Sequence, residues 1–103
     1  MTFIYEQHKI YVQDENGKII VNATFPLIKD GVVVIDHTYV DPSLRGQGVA
    51  SELMHHVYKH IKSLGFQAVA TCPYAVVWFK KHQEYKDIIN EEVQTHMAPE
   101  CQI

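Results

Sequence analysis

The spacing of apolar residues changes along this chain, and the changes mark out its elements. "FIYEQHKIYVQ" (Phe3 to Gln13) and "IIVNATFPLIK" (Ile19 to Lys29) are rich in β-branched and aromatic residues with loose alternation, and "DENGK" between them carries an Asn-Gly pair. Together they predict two strands joined as a hairpin. Pro26 cannot donate a ladder hydrogen bond, so its strand is expected to bulge there or lie locally at an edge. "KDG" turns the chain again, and the β-branched "VVVIDHTYV" (Val32 to Val40) predicts a central third strand.

From Val49 the period becomes helical. Val49, Ala50, Leu53, Met54, Val57, Tyr58, Ile61 and Leu64 recur at intervals of three and four, while Ser51, Glu52, His55, His56, Lys59, His60 and Lys62 take the wet side. Gly65 is the expected left-handed stop, "FQAVATC" (Phe66 to Cys72) reads as a buried fourth strand, and Pro73 ends it. Strand, loop, helix and strand in this order form a crossover, so the third and fourth strands are expected to run parallel. "YAVVWFKKHQEYKDII" (Tyr74 to Ile89) predicts a second amphipathic helix, and the weakly periodic segment from Asn90 to Ile103, with Pro99, predicts a flexible tail. The expected fold is a mixed α/β domain over residues 1–89: an antiparallel meander, a strand-helix-strand crossover and a C-terminal helix.

Composition narrows the partners. A chain of 103 residues suits one domain, and 9 Lys and Arg against 12 Asp and Glu leave a formal charge of −3. That balance argues against sequence-independent nucleic-acid binding, which needs a dense cationic surface. No basic segment precedes an apolar core at the N-terminus, and no apolar run approaches the roughly 18 residues of a membrane span. A cytoplasmic protein without a membrane partner is expected, acting as a monomer or weak homodimer. Cys72 and Cys101 form no CxxC pair, so neither a disulfide nor a zinc site is expected. His56 and His60 have the spacing of a helical metal pair but lack an acidic or cysteine partner at a suitable offset, and read as solvated.

Two of only five glycines, Gly46 and Gly48, stand behind Arg45 and ahead of the helical run, in "VDPSLRGQGVASEL". The stretch has neither GxxxxGK nor GxGxxG, which excludes the P-loop and the dinucleotide fingerprint. It fits a simpler anion site: Arg45, the amides of Gly46, Gln47, Gly48, Val49 and Ala50, and the positive end of a helix beginning near Gln47 could wrap a pyrophosphate. A plain helix start with flexible glycines is the alternative.

"VDPSLRGQGVA" resembles motif A of the GNAT acetyltransferase superfamily, in which a strand is followed by R-x-x-G-x-A (Arg45, Gly48, Ala50) and a helix, and "CPYAVVWFKKHQEY" resembles the family's later N-x-x-A-x-x-(F/L)-Y segment. The resemblance covers Val32 to about Tyr85. It implies a minimal GNAT fold whose loop amides hold the pyrophosphate of acetyl-CoA, with Tyr39 and Val40 offering backbone partners to the pantetheine where the third and fourth strands part. It also implies an amine acceptor that the sequence does not identify. Two departures matter: Cys72 stands where many members carry Asn, and Phe79 where many carry the Tyr that protonates the departing thiolate. The chain also lacks the two helices that many members insert between the first strands.

Transfer to an amine requires a neutral nitrogen, while a lysine-type amine has a pKa of about 10.4, so a base is needed. Asp36, on one strand face with Thr38, is the candidate if partly buried, and His37 faces the other way. Tyr74 or Tyr85 could supply the acid. The resemblance places Cys72 beside the pantetheine arm, where its thiolate could carry the acetyl group; a small buried strand-end residue is the alternative. Lys80, Lys81 and His82 could reach the CoA 3′-phosphate, or form an exposed helix side. Three readings remain open: an acetyltransferase, a non-catalytic acetyl-CoA-binding module, and an interaction domain that has kept only the fold.

Overall fold

The computed structural model describes residues 1–96. Its first segment is two strands: β1 (Ile4–Glu6) and β2 (Lys9–Gln13) pair antiparallel across a turn at Gln7 and His8. His8 stabilises that turn from inside, because its carbonyl accepts the Phe25 N–H at 3.0 Å and its Nδ1 meets the Phe25 carbonyl at 3.1 Å. The expected hairpin follows. β2 pairs with β3 (Ile19–Thr24) across Asp14 to Lys18, where Asp14 Oδ1 accepts two backbone N–H bonds and Gly17 takes the left-handed φ of 83°.

The second expected strand also divides. β3 stops at Thr24, Pro26 intervenes, and β4 (Leu27–Lys29) belongs to another sheet. The third divides at Asp36 into β5 (Val32–Ile35) and β6 (His37–Val40). The Asp36 N–H bonds the Thr24 carbonyl although Thr24 is already opposite His37, so two residues face one in a bulge that bends the strand. β5 stays with β4, and after the helix described next, β7 (Gln67–Ala70) joins it in parallel as the crossover predicts. One sheet has the order β1-β2-β3-β6 and the other β4-β5-β7.

α1 (Val49–Ser63) covers one side of both sheets with its apolar stripe. Leu53, Met54, Val57 and Ile61 are fully buried against Ile10, Val21, Ala23, Val33 and Ile35. Each large aliphatic side chain so buried contributes about 1.5–3 kcal/mol. α2 (Pro73–Lys81) opens on Pro73, whose missing N–H costs nothing in a first turn, and packs on the same side through Ala75, Val76, Trp78 and Phe79. It is shorter than the expected helix. A 3₁₀ segment from Gln83 to Ile88 replaces its end and brings Ile88 and Ile89 into the core, with Ile89 bridging Ala68 of β7.

The expected tail begins as ordered structure. Asn90 caps α3 (Glu91–Thr95) by accepting the Val93 N–H, and its own N–H bonds Ala68. Val93 covers Val32, Val34 and Val69 on the sheet face away from α1. Gln94, 2% exposed, hydrogen-bonds both backbone groups of Ala70, which if orphaned would each cost about 1–3 kcal/mol. The tail expectation is therefore corrected as far as His96; its remainder, including Cys101, lies outside the described residues.

Candidate functional site

Beyond Ile35 and Ala70 the two sheets separate, and the candidate site lies along the split. The last backbone tie across it is the Ile35 carbonyl, which accepts the N–H groups of Thr71 and Cys72, each at 3.1 Å. From there β6 follows β3, while the segment after β7 turns into α2.

At the mouth of the split, Asp41 caps a 3₁₀ turn over Pro42–Leu44, accepting the N–H and hydroxyl of Ser43 at 3.0 and 2.7 Å. Those bonds hold its carboxyl below the usual range, with nearby Lys18 adding a smaller effect. Gly46 and Gly48 then take left-handed φ values of 81° and 76°, and α1 starts at Val49, two residues later than expected. A Cβ at Gly48 would meet nothing within 4 Å, so glycine answers the backbone angle rather than crowding. No side chain caps α1, and the N–H groups of its first turn have no intrahelical partner.

A cavity of about 250 Å³ opens against this loop, lined by Val40, Leu44, Arg45, Gly46, Gly48, Val49, Ala50, Ser51 and Tyr74. Six of the expected cofactor residues are therefore together. Arg45 Nε is anchored on the Val40 carbonyl at 3.1 Å, which fixes its guanidinium beside the helix start. Gln47 turns its amide back to the Ser43 carbonyl and is not in the wall. Leu44 and Ser51 were not foreseen; Ser51 accepts the Trp78 indole N–H at 3.0 Å, joining α1 to α2. A polar residue at the third helical position was the available signal. Tyr74 enters from α2, and partial burial pushes its phenol pKa up, keeping it protonated well past neutral pH.

The register of β6 corrects one expected contact. Asp41 N–H bonds Ile20, and bonded pairs alternate in an antiparallel ladder, so Tyr39 directs its backbone groups to Asn22 on β3. Thr38 and Val40, one residue out of phase, direct theirs toward the split. Thr38 and Val40, rather than Tyr39 and Val40, turn their backbone groups to the split, and there the Val40 carbonyl is taken by Arg45 Nε.

Further in, Cys72 is buried at 8% exposure with its Sγ 3.3 Å from Thr38 Oγ1. Asp36 sits at the bulge, exposed, and accepts a 2.6 Å hydrogen bond from the Thr24 hydroxyl. The partial burial asked of a carboxylate base is absent. Cys72 and Asp36 do not line the cavity that Tyr74 does.

Other candidates have structural partners. His56 stacks on Phe3 and hydrogen-bonds the Tyr5 hydroxyl, and His60 Nε2 meets the Glu6 carbonyl at 2.8 Å, so these two histidines strap β1 to α1 rather than being merely solvated. Burial in that strap pushes the His56 pKa down. Tyr85 and His82 stack on Trp78, Phe79 is fully buried, and Lys80 and Lys81 are exposed. No helix among the described residues is long and apolar enough to cross a membrane.

Compared with known proteins, residues 8–88 match the family described as GCN5-related N-acetyl-transferase. No match is found among curated proteins. Among solved structures, a GCN5-like protein of Staphylococcus aureus, proposed as an N-acetyltransferase, shares 26% identity at a TM-score of 0.71, covering 85% of this chain and 86% of that one. An acetyltransferase from Bacillus cereus shares 28% identity at a TM-score of 0.58, covering 72% of this chain and 54% of its own. Rv2747 of Mycobacterium tuberculosis, solved in complex with CoA, shares the fold at 15% identity and a TM-score of 0.58, covering 74% of this chain and 47% of its own. The chain thus spans most of the first of these proteins and about half of the others.

Proposed function

The chain belongs to the GCN5-related N-acetyltransferase family, and we propose that it transfers an acetyl group from acetyl-CoA to an amine. The observation that carries this reading is the cavity at the start of α1, where Arg45, two left-handed glycines and uncapped helix amides converge. Those groups suit a diphosphate: a fixed cation, several N–H donors and the positive end of a helix dipole. The outward edge of β6 suits the pantetheine amides, which can pair with the backbone of Thr38 and the N–H of Val40, the Val40 carbonyl being held by Arg45. Acetyl-CoA supplies an activated acyl group as a thioester.

The residues around the split divide the remaining work. Arg45 and the loop amides bind and orient, and the convergence of Thr38 with Cys72 marks the acyl end. Tyr74, kept protonated by its surroundings, stands at the mouth rather than at the acyl end, so a proton it gives to a leaving thiolate would travel through intervening water. Asp36, exposed beside Thr24, can take the ammonium proton of an incoming amine through water. Cys72 offers a second route, in which its sulfur accepts the acetyl group before the amine does. The exposure of Asp36 favours a rival reading, a module that binds acetyl-CoA without transferring its acetyl group.

Titration with acetyl-CoA, followed by a CoA-release assay over a panel of amines, tests the proposal. Thermal stabilisation with release on at least one amine supports the transferase, and stabilisation without release supports the module. No stabilisation removes both. Incubation without acceptor decides the role of Cys72: a hydroxylamine-sensitive acetyl mass that Cys72→Ala lacks and Cys101→Ala keeps marks a carrier, whereas normal turnover by Cys72→Ala marks direct transfer.

A further inference from the structure

The backbone of β7 has two edges, and only one belongs to a strand partner. Thr71 N–H bonds Ile35 of β5, so by the alternation of a parallel ladder Ala68 and Ala70 direct their groups away from β5. Ala68 is met by the backbone, through the bridge to Ile89 and the N–H of Asn90 at 2.9 Å. Ala70 is met by a side chain. Gln94 Oε1 accepts the Ala70 N–H at 2.7 Å, and Gln94 Nε2 donates to the Ala70 carbonyl at 3.0 Å. Its primary amide thus makes the pair of bonds that a residue of a neighbouring strand would make.

Where this happens matters more than that it happens. Ala70 is the last residue of β7, and Cys72 follows two positions later as the wall of the split. Thr71 and Cys72 share a single carbonyl on the β5 side, Ile35. Gln94 backs the strand from the side away from the split, so it opposes any outward movement of the wall. It is the buried polar residue of the described chain, with 2% of its surface exposed, and helix α3 is anchored around it by the Asn90 cap.

We propose that Gln94 is a positioning residue for the acyl end of the site, completing the edge of β7 so that Cys72 is held opposite Thr38, and thereby making the C-terminal helix a working part of that site. This rests on the transferase reading for its meaning, but its geometry can be tested without turnover. Loss of Gln94 widens the split at Cys72 and leaves the loop of Arg45 to Ala50 unchanged.

The test uses the full chain in a Cys101→Ala background, where Cys72 is the one thiol, and measures thiol exchange with 4,4′-dithiodipyridine together with acetyl-CoA affinity. Gln94→Leu keeps the bulk and removes both hydrogen bonds; exchange at Cys72 should rise by about 10-fold or more while affinity stays within about 3-fold. Gln94→Glu supplies a conditional rescue. Its protonated carboxyl can both donate and accept as the amide does, and its carboxylate cannot donate, while burial raises the pH at which it ionises. Relative to the parent at the same pH, exchange should be near parental at about pH 5 and raised at about pH 8.

A purely structural role would lower the melting temperature of Gln94→Leu while leaving exchange at Cys72 in the folded protein at the parental rate. Parental exchange in folded Gln94→Leu, or a pH-independent ratio in Gln94→Glu, overturns the proposal. Should both variants unfold, amide exchange in the unsubstituted protein decides: an Ala70 N–H protected as well as that of Val69 supports the clamp, and one exchanging freely overturns it. Failure of acetyl-CoA to bind the parent would instead remove the transferase reading, with the thiol and amide readouts still interpretable.

Discussion

The two ends of the split are built differently. At the mouth, the proposed binding groups come from one continuous stretch, Val40 to Ser51, and most are backbone: the amides of a helix start, exposed by two left-handed glycines and flanked by one anchored arginine. Tyr74 alone comes from elsewhere. At the proposed acyl end the relevant atoms come from four separated places, Thr24, the bulge at Asp36 with Thr38, Cys72, and Gln94 behind it. A local site tolerates the loss of one side chain because its amides remain. A site assembled from distant pieces fails when one strand shifts, since a hydrogen bond weakens steeply with geometry.

The largest effect is expected at the mouth. Gly48→Asp places a carboxylate in open space beside the helix amides and forces a side chain onto a φ of 76°, so acetyl-CoA affinity should fall by about 100-fold or more, read by calorimetry. Cys72 thiol exchange should not change. Unaltered affinity would remove the loop from the site and with it the contrast between the two ends.

Asp36→Asn probes the other end. If the carboxylate takes the amine proton, the rate on a responsive amine should drop by about 100-fold with acetyl-CoA affinity preserved, and the residual rate should grow with pH as the free amine fraction rises. A rate within a few-fold of the parent returns Asp36 to a strand-bulge residue held by Thr24. Arg45→Ala should be milder than the glycine change. Charge-assisted contacts to phosphate are lost but the amides stay, so affinity should weaken by about 10-fold, and its dependence on salt should flatten. A loss as large as that of Gly48→Asp would mean that side chain, not backbone, dominates the mouth.

The smallest effect concerns a region that belongs to neither end. Asp87 accepts hydrogen bonds from Lys62 at 2.7 Å and Tyr58 at 2.8 Å, which hold its carboxyl below the usual range and push the Lys62 ammonium up. A depressed carboxyl stabilises the fold above its unfolded pKa, and that contribution is lost as pH falls through the lower, folded value. The raised lysine acts oppositely, losing its contribution as pH rises through its folded value. Asp87→Asn should slightly flatten the acid side of the melting-temperature profile and leave acetyl-CoA affinity alone. Both groups are substantially exposed, so a large shift would contradict this assignment.

The division between the two ends is also a division in legibility. Arg45, Gly46, Gly48, Val49 and Ala50 were readable because a helix start announces itself within a few residues, and the cavity forms around them. The stripe from Val49 to Ile61 and the parallel pairing of β5 with β7 were readable for the same reason, one from periodicity and the other from element order. Asp36 reads as an ordinary residue inside a β-branched run, and nothing local says that it sits at a bulge. Tyr39 and Thr38 are adjacent and both acceptable in a strand, yet only the register against β3 decides which faces the split. Gln94, in a segment of weak periodicity, looks like part of a tail.

By itself, the sequence determined the order and type of most elements, the apolar faces that must be covered, and the glycine loop ahead of α1. Each of these follows from φ preferences, side-chain period and unpaired helix amides, which act over a few residues. Tertiary structure alone decided where the long strands bend and change sheets, which edge of β6 is open, and how Cys72 meets Thr38 with Gln94 behind it. Those outcomes depend on satisfying every buried donor and acceptor at once, and the partners lie far apart in the chain, as in Thr38 with Cys72 at a separation of 34. No short window contains both members of such a pair, so the requirement is met only when the chain has folded.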